Sequence, residues 1–289
     1  MPRALFESKN LIGDSICISA ALRQWHAEHP DYQIDLLTMN DHSAELYRGM
    51  GVPVNIIFER IGLDYDFEFT FNVSEAFAIC ERDQCHMAEG YAKLLGVQIE
   101  DIGPFYEPPI VAEDDEWVNQ VPENTILFAP FSNSCTSHSG MPPNKCLPWP
   151  KWKPIIKYMR SKSTMPIRVT GSKKERADEL SFSEEEYLTG IPLRPLARAM
   201  REGKIAMVVS VDNGISHLAG SQKVPQILFY PMVLGMHYAV PWSNPFVIPI
   251  HIDPAMAEPA QLLWSFRQAW DLIMNSKKDG QLNGTILSG

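Results

Sequence analysis

The chain has 289 residues, of which 45% are hydrophobic and 21% charged, enough apolar material for two ordinary domains or one large one. That composition excludes a disordered, collagen-like or simple coiled-coil chain. With 25 Lys and Arg against 35 Asp and Glu, the formal charge is −10, which speaks against a nucleic-acid partner, since phosphate neutralisation supplies most of that affinity. The N-terminus lacks the apolar core of a signal peptide, and no stretch reaches the roughly 18–20 uninterrupted apolar residues of a membrane span. The expectation is a soluble, cytoplasmic protein without a transmembrane segment, for which peripheral contact with a membrane stays open. The five cysteines (Cys17, Cys80, Cys85, Cys135, Cys146) form no CxxC pair and are expected to be reduced thiols with no metal role.

In chain order, Arg3 to Glu7 reads as a strand that breaks at Ser8 to Gly13, and Asp14-Ser15 opens a helix to about Glu28. Gln33–Thr38 is a second strand, Ser43–Met50 a short helix and Val54–Phe58 a third strand. This is the rhythm of a parallel sheet with right-handed crossovers. Phe67–Val73 follows as a strand, and Ser74 to about Leu95 as one helix closed by Gly96. Gly103 to Glu123 is rich in Pro, Asp and Glu and marks the boundary between two domains, 1–120 and 121–289.

A second alternation then begins. Thr125–Ala129 is a strand, Phe131–Pro148 a long loop, Pro150–Arg160 a helix and Ile167–Thr170 a strand ending at Gly171. Helices are expected over Lys174–Leu180 and Pro192–Glu202, and a buried strand over Ala206–Val211. Gly214–Ser221 is a short helix, and Gln226–Tyr230 and Phe246–Ile250 are the last strands. The helix from Glu258 to Met274 places Leu262, Phe266, Ala269, Trp270 and Ile273 on one apolar face, a core-packing pattern. Two α/β halves of this kind are Rossmann-like, and ligands of such sheets sit at the carboxyl ends of the strands.

Two turns carry candidate chemistry. In Val211-Asp212-Asn213-Gly214-Ile215-Ser216-His217 a buried strand runs straight into a helix start. Backbone N–H groups and the positive end of the helix dipole make that an anion site, with Gly214 letting a phosphate approach and His217 facing the same mouth. The competing reading makes Asp212 a helix cap and His217 a core histidine. The first βα turn, Asn10 to Ser15, lacks the GxGxxG dinucleotide fingerprint. Its Asp14 is either a helix-capping carboxylate or a base placed to take a proton from an acceptor hydroxyl.

The Gly13-Asp14 turn with Ala20-Ala21-Leu22-Arg23, and the block Asp212 to Ala219, resemble glycosyltransferase family 9, the ADP-heptose:lipopolysaccharide heptosyltransferase family. The similarity extends to Cys85–Tyr91 through Gly96, Phe128-Ala129-Pro130, Lys145 with Trp149-Pro150, Val169-Thr170-Gly171 with Glu175-Arg176, and Leu193–Val211. It implies a GT-B fold: two facing Rossmann-like domains with parallel sheets, the acceptor in the N-terminal one and the nucleotide-sugar donor in the C-terminal one, with the C-terminal helix packing back.

By that resemblance Asp14 is the general base, and Asp212, Gly214 and His217 form the donor-phosphate loop, with Asn213 where Thr is common. Lys145 is the cation on the diphosphate, Glu175 the acid at the ribose, and Thr170-Gly171 lies beside it. The family's Pro-Gly-Ala/Ser loop reads Pro130-Phe131-Ser132-Asn133 here, which assigns Ser132 and Asn133 to the donor and departs from the pattern in lacking glycine. The implied activity is inverting, metal-independent transfer to a hydroxyl of a surface glycan or lipopolysaccharide-type acceptor, with no cofactor beyond the donor. A non-catalytic nucleotide-sugar or glycan-binding relative, an epimerase or hydrolase, and a transferase acting on another acceptor such as modified DNA bases are the alternatives.

Overall fold

The computed structural model describes residues 1–9, 12–99, 106–107, 109–132, 147–171, 181–231, 246–252 and 257–278. Its first half alternates β1 (Arg3–Ser8), α1 (Ile12–Glu28), β2 (Gln33–Thr38), α2 (Asp41–Arg48), β3 (Val54–Ile57), β4 (Phe67–Phe71), α3 (Val73–Asp83) and α4 (Met87–Leu95). All pairings are parallel, in the order β3-β2-β1-β4, with Phe6 of β1 opposite Leu36 on one side and Phe69 on the other. After the short α5 (Asp115–Asn119) the second half contains β5 (Thr125–Ala129), α6 (Trp149–Lys162), β6 (Ile167–Val169), α7 (Leu193–Arg201) and β7 (Ile205–Val211). It closes with α8 (Gly214–Ser221), β8 (Gln226–Pro231), β9 (Val247–Ile252) and α9 (Pro259–Lys278). Its five strands are also parallel, in the order β6-β5-β7-β8-β9.

Both orders reverse direction once: the chain steps outward from β1 to β3 and returns beside β1 as β4, and it steps from β5 to β6 and returns as β7. Each reversal opens a crevice at the carboxyl edge, where ligands of open α/β sheets bind. The first crevice adjoins the turn holding Asp14, and the second adjoins Asp212 to Gly214.

Aromatic packing builds each half. Phe6 meets Trp25 of α1 edge-on at 4.9 Å, and Trp152 of α6 is wedged edge-on between Phe128 and Phe229, also at 4.9 Å from each. The central strands β5 and β7 are buried along their whole length, as expected for continuous apolar runs covered on both faces. A third apolar cluster joins the halves, bringing Ile16 of α1 and Leu46 of α2 together with Leu196, Val208 and Leu218.

The acidic joint is bound to that interface. Arg194 of α7 makes a two-pronged bond to buried Asp114 at 2.6 and 2.8 Å, and its backbone N–H donates to Glu45 of α2 at 2.7 Å. Burial raises the Glu45 pKa, against the lowering effect of that N–H bond.

The alternation stands, with two revisions. The helix expected over Ser74–Leu95 is two helices. Gln84 adopts a left-handed conformation (φ 52°), Cys85 N–H returns to Cys80 O, and His86 then caps α4, its ring nitrogen accepting from Ala88 N–H while its own N–H donates to Glu89. Gln84 is not glycine, so no residue in the sequence announced the break. The C-terminal helix extends to Lys278, and its expected apolar face, Leu262 to Ile273, packs on the second half beside α6, β8 and β9. The helix expected over Lys174–Leu180, and Cys135 and Cys146, lie outside the described residues. No helix among the described residues is long and apolar enough to cross a membrane.

Candidate active site

Asp14 sits in the first turn of α1, just beyond the carboxyl end of β1, partly exposed. Its Oδ1 accepts a hydrogen bond from the Tyr91 hydroxyl of α4 at 3.0 Å. Around it lies a small buried polar set. The Tyr47 hydroxyl is 2.6 Å from Ser8 Oγ, and Ser15 Oγ donates to Ser43 Oγ at 3.2 Å. Both phenols are raised in pKa, first by burial and further by the charge of Asp14, so both stay protonated, and Tyr91 is the donor to Asp14. Asp14 is therefore a carboxylate held at a sheet edge by a neutral donor, a geometry suited to accepting a proton.

The Asp212 turn follows its motif with a change of roles. Asn213, not Asp212, caps α8: its side-chain oxygen accepts from Ile215 N–H (2.9 Å) and Ser216 N–H (3.0 Å), while Asn213 N–H donates to Ser216 Oγ. Its Nδ2 donates to Ala129 O and Phe131 O, fastening the helix start to the end of β5 across the second crevice. Two N–H groups expected for an anion are thus already bonded. The Asp212 carboxylate, 3% exposed, instead lies 3.5 Å from His217 Nε2.

His217 was expected to face the mouth of the site. It is 5% exposed and points into the joint between the halves. Its Nδ1 is 3.9 Å from Cys17 Sγ of α1, and Gly13 lies so close that a Cβ there would be 2.9 Å from the ring. Gly214 does the same in reverse, since its Cβ would fall 2.8 Å from Cγ2 of Ile12. The two glycines let the two turns touch, α1 against α8. Burial works against charge on the His217 ring, but the Cys17 sulfur and the Asp212 carboxylate outweigh it and raise its pKa.

The remaining expected residues divide. Ser132, beyond the end of β5, is described and partly buried. Thr170 and Gly171 follow β6 at the same edge, where Thr170 N–H donates to Phe128 O and its hydroxyl to Leu188 O at 3.4 Å. Asn133, Lys145 and Glu175 lie outside the described residues, as do Asn10 and Leu11 of the first turn. The carboxyl edges thus bring together Asp14 in one half, and Ser132, Thr170, Gly171 and Asp212 to Gly214 in the other. Tyr91 and Cys17 enter the site from positions whose local sequence carries no chemical motif.

No protein-family model and no curated protein matches the chain. Solved structures do. A family 9 glycosyl transferase from Veillonella parvula superposes with a TM-score of 0.68 at 14% identity, over 95% of this chain and 98% of that one. The whole architecture is shared across that span. The fold is that of the family 9 glycosyltransferases. The E. coli ADP-heptose lps heptosyltransferase II superposes at 0.62 and 12% identity, over 95% of this chain and 99% of its own. The iron-containing dodecameric heptosyltransferase TibC of enterotoxigenic E. coli, in complex with ADP-D-beta-D-heptose, superposes at 0.59 and 11% identity, over 93% of this chain and 77% of its own. The expected two-sheet GT-B architecture is the one observed.

Proposed function

We propose that this protein is an inverting glycosyltransferase that moves a sugar from a nucleotide-diphosphate sugar to an acceptor hydroxyl without a metal ion. One observation carries the reading: at the carboxyl edges of two parallel sheets, a turn holding a carboxylate touches a turn that begins a helix. The first half, about residues 1–120, takes the acceptor, and the second, about 121–289, takes the donor. Asp14 accepts the acceptor's hydroxyl proton as that oxygen attacks the anomeric carbon. The bond from carbon to the diphosphate oxygen breaks on the opposite face, its electron pair leaves with the nucleoside diphosphate, and the configuration inverts.

The leaving group gains negative charge, and the α8 dipole opposes it from the Asp212-Asn213-Gly214 turn. Lys145 is assigned the diphosphate, Ser132 and Asn133 the phosphate loop, and Glu175 with Thr170 and Gly171 the nucleoside. His217 acts from below that turn, as a proton-holding ring paired to Asp212. The acceptor is a glycan hydroxyl. Heptosyltransferases of the same fold, one of them bound to an ADP-sugar, support a nucleotide-sugar donor.

Melting temperatures with ADP-, UDP- and GDP-sugars test the donor half directly, because a ligand bound to the folded state alone raises stability by mass action. One nucleotide class is expected to raise the melting temperature at millimolar concentration while its free sugar does not. No rise with any of the three would remove the donor site.

A further inference from the structure

We infer that Tyr91 is the positioning residue of the proposed base, fixing the orientation of the Asp14 carboxylate through the bond from its hydroxyl to Oδ1. The inference rests on Asp14 being that base. Its geometric support is the way Tyr91 itself is held. The ring is wholly buried and stands edge-on to Phe71 of β4 at 5.8 Å and 82°. Its helix is locked by the reciprocal cap of His86 and Glu89. The preceding residue, Gly90, lies so close to α3 that a Cβ there would be 2.6 Å from Cys80 Sγ and 2.8 Å from Ala76 O.

The hydroxyl therefore has a fixed position. A buried phenol that stays protonated can only donate to a carboxylate, and such a bond favours the charged form that a base requires. It also holds the carboxylate in one orientation, and proton-transfer efficiency depends on that geometry.

Among the described residues, the charge of Asp14 also acts on Tyr47 of α2, and Cys17 of α1 faces both phenols. Tyr91→Phe alters neither Tyr47 nor Cys17 and keeps the packing on Phe71. Losing one hydrogen bond to the carboxylate is expected to move the acidic limb of the kcat profile to higher pH by about one unit. At neutral pH, kcat should fall about tenfold, with donor KM within twofold. A purely structural role would lower the melting temperature and shift KM without moving the limb.

The test measures wild type, Tyr91→Phe and Asp14→Asn side by side across pH. Protein carrying 3-fluorotyrosine, whose more acidic phenol donates more strongly, covers the case in which Tyr91→Phe does not fold. Its acidic limb is expected to move to lower pH. An unmoved limb in Tyr91→Phe, or in the fluorinated protein, with Asp14→Asn inactive, overturns the role of Tyr91 alone. Wild-type activity in Asp14→Asn overturns the base and this inference with it.

Discussion

Asp14→Asn is expected to abolish sugar transfer while leaving donor affinity within a few-fold. The substitution keeps the shape of the side chain, and its amide oxygen can still accept from the Tyr91 hydroxyl, which now bonds Oδ1 at 3.0 Å. Only the capacity to take a proton is lost. A positioned base contributes about 10²–10⁴-fold to rate, so the fall in kcat should lie in that range. In the proposed arrangement the donor docks on the other sheet edge, so its binding should register little change, and a loss in kcat at constant binding marks an interaction made in the transition state. Retention of more than about a tenth of the wild-type rate would exclude Asp14 as the base.

Gly214→Ala is expected to disrupt the joint between the halves. The new methyl would lie 2.8 Å from Ile12 Cγ2 and 2.9 Å from its Cβ. Cβ is the branch point of a side chain in the first turn of α1, so relief requires the helices themselves to separate. Overpacking of this kind costs about 1–3 kcal/mol, and at about 2–4 °C per kcal/mol the melting temperature should drop by roughly 2–12 °C. Transfer should fall with it, because Asp14 is two residues from Ile12. Ile12→Ala in the same chain should restore most of the melting temperature. If the double variant stays as unstable as Gly214→Ala, the glycine serves something other than the contact with Ile12.

Elements in this chain were readable where a single residue type or a local period decides them. The buried runs of β5 and β7, the apolar face of α9 and the two βα turns are such cases, and each lies within a residue or a few of its expected place. The break between α3 and α4 was not readable, because it rests on Gln84 accepting a left-handed backbone that sequences usually mark with glycine. The roles within the Asp212 turn were open in the sequence for a similar reason: Asp and Asn both cap helices well, and what selected Asn213 was the pair of carbonyls at Ala129 and Phe131 waiting for its amide.

Long-range contacts were harder still. Cys17 and His217 meet across 200 residues, and Tyr91 reaches Asp14 across 77. Neither contact leaves a periodic or spacing signal, since it arises only when two separately folded layers close on each other. The same closure explains why Gly214, read from sequence as letting a phosphate approach, and Gly13 of the Asp14 turn serve in the structure as points where the halves touch.

The central claim is metal-independent activation of a nucleotide-diphosphate sugar, and release of nucleoside diphosphate from ADP-, UDP- and GDP-sugars in EDTA tests it most directly. A divalent ion bridging a diphosphate needs carboxylates beside it, and in the turn proposed to meet the phosphates the Asp212 carboxylate is paired with the buried His217 ring. The account predicts that the wild-type chain releases nucleoside diphosphate from one donor class at the same rate with and without the chelator. Release that stops in EDTA and returns with Mg²⁺ or Mn²⁺, or no release from any donor, would contradict it.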